Sequence, residues 1–408
     1  MGNMGNEKKP LSGLKVIELA NYVAAPIVGR MCADLGAEVI KIEGRGGDIW
    51  RLTCAEHTRT GVDENPLFDF CNVGKKSLAL NLKAPEGREI FFKLLEDADV
   101  LITNTRQQSL VKQGLDYESL KDRFPRLIYA TITGYGYEGP DCNAPGFDMV
   151  AFWSRSGFMS DMRIDAPGAY PVNSRYAMGD TATGSLLFGG IMTALYNRER
   201  TGQGDFVTMS LYNAGVWIMA GSIIMAEEPY CHPFPEKRLS GNAINLVYEC
   251  SDGEWIRCTI LEYARYADKF FEALGVTEKM KELGIHDTIS ITEKAEIVVP
   301  MFEEIFRTKS SDEWTAIFEK LDIVNGKLTH FGDVLTDEQA WANEYIQKYK
   351  CTNGAERILM TNPVRLGSQG ALKIGKPILC GCDNREVLNA LGYDDEAVDK
   401  LAENGVLI

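Results

Sequence analysis

A chain of 408 residues, 45% hydrophobic and 25% charged, has the length for two domains and the composition of an ordinary globular protein. Its formal net charge of −15 argues against a sequence-independent nucleic-acid binder and against docking on an anionic membrane, since both select cationic surface. Any polyanionic ligand must therefore find locally clustered Lys or Arg.

The chain starts with MGNMGNEKKPLSG, which is polar and lacks the apolar run of a secretory signal. Glu7 and the missing Ser or Thr set aside a myristoylation reading of Met1-Gly2. GLKVIEL then reads as a strand, PIVGRMCADL as a helix opened by Pro26 and stopped by Gly36, and AEVIKIE as a second strand. That βαβ unit requires a parallel pairing with a right-handed crossover. The strand KSLALNL, the helix APEGREIFFKLLEDA, the strand DVLIT, the helix DYESLKDRF and the strand RLIYATI continue the alternation. The expected fold is α/β, an open Rossmann-like sheet.

Asp180 is expected to begin a helix that ends near Arg200, followed by the strand DFVTMS. From about Glu227 the texture changes to a linker, EEPYCHPFPEKRLSGNA, and INLVYECSDGEWIRCTI reads as a hairpin turning at Asp252-Gly253. Amphipathic helices follow, including SSDEWTAIFEKL with Ser311 and Glu313 at its start, giving a smaller α+β domain. Two short helices in DNREVLNALGYDDEAVDKLAENGVLI close the chain and are expected to rejoin the first domain. No apolar stretch reaches membrane-spanning length; SLLFGGIMTALY is too short. The ten cysteines include no Cys-x-x-Cys and the four histidines are far apart, so reduced cytoplasmic thiols and no metal site are expected.

TITGYGYEGPD contains a literal G-x-G-x-x-G in Gly134, Gly136 and Gly139. A dinucleotide cradle needs a helix opening at the last glycine, and here Pro140 and DCNAPG follow instead. Glu43 sits where such folds keep a ribose-binding acid, yet the first turn, ANYVAAP, has no glycine. The NAD reading is rejected.

Asp180 carries the strongest chemical signal. A helix N-terminus stabilises its anion, and the small residues of GDTATG suggest open space around the carboxylate, which a nucleophile needs and an ordinary cap does not. Cations cluster beside strand ends: Arg45 and Arg51, Lys75 and Lys76, Arg106 and Lys112. In an acidic chain that placement suggests a phosphorylated ligand.

The segments GLKVIELANYVAAPIVGRMCADLGAEVIKIE, TITGYGYEGP, PGFD, MGDTATG, RERTGQGDFVTMSLYNA and YECSDGEW, in this order, resemble the class III CoA-transferases. The likeness is greatest to those acting on 2-hydroxyisocaproate and phenyllactate in amino-acid-fermenting anaerobes. The resemblance implies an enzyme that moves CoA from an acyl-CoA to a free carboxylic acid. Asp180 would be the nucleophile, passing through an anhydride and an aspartyl-CoA thioester, with no permanently bound cofactor, metal or ATP. It implies that Val23 and Ala24 line the thioester site, that Arg45 meets the CoA phosphates, and that Lys75, Asn104, Thr105, Arg106 and Lys112 surround its nucleotide. Gly241 in SGNA falls where relatives carry a glycine-rich flap, and Phe147 lies at the substrate.

The related CoA-ester racemases need a His-Asp pair, and Phe147 replaces that histidine, although Glu249 resembles a racemase residue. Cys382 and Asp383 depart from the usual C-terminal motif. Trp153, Phe158 and Met159 suggest an apolar acyl pocket. The implied architecture is a large Rossmann-like domain from residues 1–225 and 336–408, the latter including a return linker. Residues 226–335 give the linker and small α+β domain. The monomer would be a ring, and two rings would interlock as a cytoplasmic homodimer.

Overall fold

Near-continuous runs of buried residues mark strands covered on both faces, and the computed structural model, which describes residues 8–408, forms strands at those runs. The Met1–Glu7 start, where the signal and myristoylation readings fall, lies outside the described residues. In chain order come β1 (Lys15–Leu19), α1 (Ala24–Asp34), β2 (Glu38–Glu43), α2 (Ile49–Thr58), α3 (Pro66–Asn72) and β3 (Lys76–Ala79). Then follow α4 (Pro85–Glu96), β4 (Val100–Thr103), α5 (Gln107–Gln113), α6 (Tyr117–Leu120) and β5 (Ile128–Thr133). A π-helical turn over Asp148–Ser154, the short α7 (Phe158–Asp161), α8 (Met178–Thr201), β6 (Phe206–Ser210) and α9 (Leu211–Ile218) complete this stretch.

The six strands form one parallel sheet in the order β3-β2-β1-β4-β5-β6. This is the Rossmann-like sheet expected from the alternation. The order reverses between β1 and β4, so their carboxyl ends border the crevice where open α/β sheets bind ligands. On one face Ile17, Leu78, Phe91, Leu101 and Tyr129 are buried with Leu388, Val398 and Leu407 of the chain end. Burying each such large side chain stabilises the fold by about 1.5–3 kcal/mol. The closing helices, Asn384–Ala390 and Asp395–Glu403, thus share the sheet's core, and the amide of Ile408 donates to Ala79 O at 3.2 Å.

The chain divides into two compact units. The first takes residues up to Ser156, Ser174–Ile224 and Leu335–Ile408; the second takes Gly157–Asn173 and Met225–Val334. Residues 157–173, inside the first large segment in sequence, therefore cluster with the second unit. Two features of the first unit were not expected: α2 and α3 between β2 and β3, and an antiparallel pair β10 (Ile346–Lys350) and β11 (Glu356–Met360).

In the second unit, β7 (Val247–Glu249) and β8 (Trp255–Cys258) make the hairpin at Asp252-Gly253, where Gly253 takes φ +79°. A third strand, β9 (Asn325–Lys327), pairs with β8. Helices pack Phe270, Phe302, Phe306, Trp314 and Phe318 into its core, with Tyr248 stacked on Phe306 at 4.6 Å. The helix Ser311–Lys320 is capped one residue earlier than expected. Ser310 and Glu313 form a capping box, while Ser311 donates to Asp252.

Candidate active site

Asp180 sits in the third position of α8, not at its cap. The cap is Ala177, in a left-handed conformation at φ +51° and with no side-chain hydrogen bond. That first turn is faced instead by Asp148 of PGFD, which is buried with its carboxyl against Gly179 and towards the amides of Gly179 and Asp180. Asp148 is the candidate site residue that sequence reasoning did not single out. The quoted motif contained it, but an aspartate in a loop before an irregular turn has no periodic signature.

The small residues around Asp180 have a different reason from the one expected. A Cβ on Gly179 would lie 2.2 Å from Asp148 Oδ1 and 2.3 Å from the Phe152 ring. One on Gly184 would lie 2.2 Å from Ile27 and 2.5 Å from Ala24 O. The GDTATG stretch therefore brings α8 against α1 and the 148–154 turn, rather than clearing space. The opening glycines act similarly: a Cβ on Gly134 would sit 2.9 Å from Gly146 Cα, so the end of β5 and the PGFD loop touch backbone to backbone. No helix opens at Gly139, as the rejection of a dinucleotide cradle requires.

The half-buried Asp180 carboxyl meets no hydrogen-bond donor among the described residues. Burial first, and then the charge of Asp148, push it up to about 7. Asp148 is pushed up to about 6 by burial, the nearby amides of Gly179 and Asp180 and the Trp153 side chain working the other way. Two carboxyls with raised affinity for protons thus meet at one helix start.

Val23 and Ala24 are buried at the start of α1, whose first turn also lacks a side-chain cap. Beside them, at the reversal of strand order, Asn104 Nδ2 donates to Asn21 O at 2.7 Å and the Asn21 amide donates to Asn104 Oδ1 at 3.1 Å. The Thr105 amide bonds Thr103 Oγ1. Arg45 after β2, Arg106 at the start of α5 and Lys112 in its last turn are exposed, and their side chains have no ion-pair partner among the described residues. Lys83, after β3 on the same edge of the sheet, is exposed in the same way and was not singled out from sequence.

Lys75 is a correction. Its ammonium is buried and donates to Glu18 Oε2 at 2.6 Å, Pro26 O at 2.8 Å and Asn72 Oδ1 at 2.9 Å, which leaves nothing for a nucleotide. Burial lowers its pKa to about 8, Glu18 opposing. Arg51 is likewise spent, bidentate on Glu43 at 2.8 Å and bonded to Ile378 O. Glu43 is not a ribose ligand. Burial works against its charge, yet Arg51, Lys41 and Ser77 hold it down at about 2. Lys76 pairs with Glu38 and Glu386.

Trp153 and Phe158 are buried, so packing accounts for them and an open pocket does not. Phe147 is 53% exposed and sets its ring edge-on to Tyr22 at 5.3 Å. Gly241 lies in the second unit, at φ −86° between two short helical turns, a conformation that needs no glycine. Glu249 pairs with Arg307 at 3.0 Å. Cys382 donates to Asp383, whose carboxylate also accepts from the Ser77 amide, so this departing motif ties the chain end to β3. No group among the described residues has the make-up of a metal site.

The model of CoA-transferase family III matches residues 11–384. The chain belongs to that family. It is 37% identical over 406 residues to the cinnamoyl-CoA:phenyllactate CoA-transferase of Clostridium sporogenes, covering 98% of each chain. It is 34% identical to the (R)-2-hydroxy-4-methylpentanoate CoA-transferase of Clostridioides difficile, covering 97% of this chain and 99% of that one. A solved CAIB/BAIF family protein from Brucella suis superposes with a TM-score of 0.76 at 28% identity, covering 94% and 100%. As a family III CoA-transferase, the enzyme acts on an acyl-CoA and an acid.

Proposed function

We propose that this enzyme moves CoA from an acyl-CoA to a 2-hydroxy acid with an apolar side chain, with Asp180 as covalent nucleophile. One observation carries the reading: a carboxyl in the first turn of α8, met by no donor among the described residues and on a helix packed against the start of α1, in a family III chain. An Asp180 oxygen attacks the thioester carbonyl, the C–S bond breaks, and CoA leaves as thiolate. The thiolate attacks the aspartyl carbonyl of the anhydride, releasing the first acid and leaving an aspartyl-CoA thioester. The second acid's carboxylate repeats the first step on that thioester, and the returning thiolate carries off the new acyl group. Each bond made is close in energy to the one broken, so the enzyme's task is positioning and oxyanion stabilisation. The uncapped first-turn amides of α1, at Ala24 and Ala25, are suited to the oxyanion. Arg45, Lys83, Arg106 and Lys112 are suited to the phosphates.

The relatives' names support the choice of acid, because both act on 2-hydroxy acids with apolar side chains. The test is CoA exchange between a single-enantiomer 2-hydroxyacyl-CoA and a second acid, in deuterium oxide, without ATP or NAD and with a chelator present. Transfer without deuterium at Cα is expected, and Asp180→Asn should lose at least about a thousandfold, as for other residues acting in the transition state. Deuterium entering Cα as fast as CoA moves would instead mean a racemase, with Asp148 and Asp180 as its two acid-bases. A strict need for ATP would mean a ligase.

A further inference from the structure

Three aromatic rings gather between the turn that opens α1, the start of α2 and the PGFD loop. Tyr22 lies 5.3 Å from Phe147 at 74° and 6.1 Å from Trp50 at 51°, centroid to centroid. Phe147 adjoins Asp148, whose carboxyl lies against Gly179 beside Asp180, and Tyr22 precedes the Val23-Ala24 turn packed against Gly184 of α8. The group is deliberately held. Asp48 Oδ1 accepts from the amides of both Tyr22 (3.1 Å) and Trp50 (2.9 Å), while its Oδ2 is paired with the buried Lys41 at 2.9 Å.

Tyr22 also takes φ +64°, a left-handed conformation that a bulky side chain adopts only when its surroundings enforce it. Packing does not explain the outcome, since Phe147 remains 53% exposed and Met178, in the same turn as Asp180, 44% exposed. Backbone strain at Tyr22 and a buried ion pair thus hold a group of rings of which Phe147 keeps its surface open, one residue before Asp148.

We propose that Tyr22, Trp50 and Phe147 form the wall that reads the side chain of the free acid and selects an aromatic one. This inference rests on the CoA-transfer reading above. An edge-on ring pair with one member half exposed offers a third ring the tilted or offset contacts that aromatic groups favour beyond simple burial. The three side chains carry no charge to receive a second carboxylate, so the wall disfavours dicarboxylic acids. A short alkyl side chain would leave the exposed ring uncovered.

Tyr22→Gly separates the ring from the backbone, because glycine adopts φ +64° without strain. The variant should fold with an unchanged or higher Tm. Its ratio of kcat/KM for 2-hydroxy-3-phenylpropanoate over 2-hydroxypropanoate should fall by about tenfold. Phe147→Ala, on an exposed ring, should lower the same ratio. An unchanged ratio in both variants, or equal losses for both acids, overturns the wall. So does a wild type that prefers 2-hydroxypropanoate or a dicarboxylic acid. Saturation-transfer NMR on 2-hydroxy-3-phenylpropanoate, without acyl-CoA, distinguishes the two readings. Ring-proton transfer in the wild type that Tyr22→Gly abolishes, in a protein that exchanges no CoA, keeps the wall and sinks the transferase mechanism. Neither binding nor exchange sinks both.

Discussion

Asp180 feels opposed influences, and their sizes decide its chemistry. The start of α8 favours the anion by about 0.3–1 kcal/mol, less than one pKa unit. Burial and the neighbouring Asp148 outweigh this and push the carboxyl up to about 7. The anion, which is the nucleophile, therefore forms as pH rises through about 7, and kcat/KM for acyl-CoA should show an ascending limb there. Asp148→Asn removes the like charge while keeping the side chain's shape, so the limb should move to lower pH. An unmoved limb would detach Asp148 from the titration.

Stability follows the same sign. Both aspartates bind protons more tightly in the native state, so stability is lost as pH rises from the ordinary value of 3.8 towards about 7. The fall in Tm across that window should be shallower in Asp148→Asn. Asp180 was legible in the sequence because a helix start flanked by small residues is a local pattern. Asp148 was not, because its significance lies in a contact with a helix thirty-odd residues away.

At the scale of elements, the parallel sheet places the ends of β2, β3 and β4 on one edge, and with them Arg45, Lys83 and Arg106. Arg106→Ala should raise KM for acyl-CoA about ten- to a hundredfold while sparing that of the free acid, a charge-assisted contact contributing about 1.5–3 kcal/mol. Lys75→Met should behave differently. It leaves Glu18 buried with one cation fewer, so the expected result is a loss of about 3–5 kcal/mol of stability, read by denaturant unfolding. A soluble, stable Lys75→Met enzyme with a selectively raised KM for acyl-CoA would restore the nucleotide role. The strands were readable because doubly covered β-strands are continuous apolar runs. Lys75 was misread because a lysine after a glycine turn looks the same whether its partner is water or a glutamate brought from β1. Helix α2 escaped because IWRLTCAEHT buries only Arg51 and Cys54 fully and shows no clean period. Yet α2 carries the ring that the sequence reading lacked, Trp50.

For the whole molecule, the return of the chain end into the sheet's core was foreshadowed by its two short helices. The interlocked pair of rings came from family resemblance alone. We propose a homodimer on a further ground: the large apolar side chains Tyr196, Trp217, Ile218 and Ile224 of the first unit are exposed, and burial against a second copy would remove them from water. Light scattering should give twice the chain mass of 45.3 kDa, and a monomer at micromolar concentration would contradict it. No helix among the described residues is long and apolar enough to cross a membrane. The most direct test of the central claim is to trap the intermediate. The enzyme is incubated with acyl-CoA, reduced with borohydride and mapped by peptide mass spectrometry. Reduction of the Asp180 side chain to the alcohol, dependent on acyl-CoA and absent in Asp180→Asn, is the predicted result; modification at another carboxylate, or none during active turnover, would contradict the mechanism.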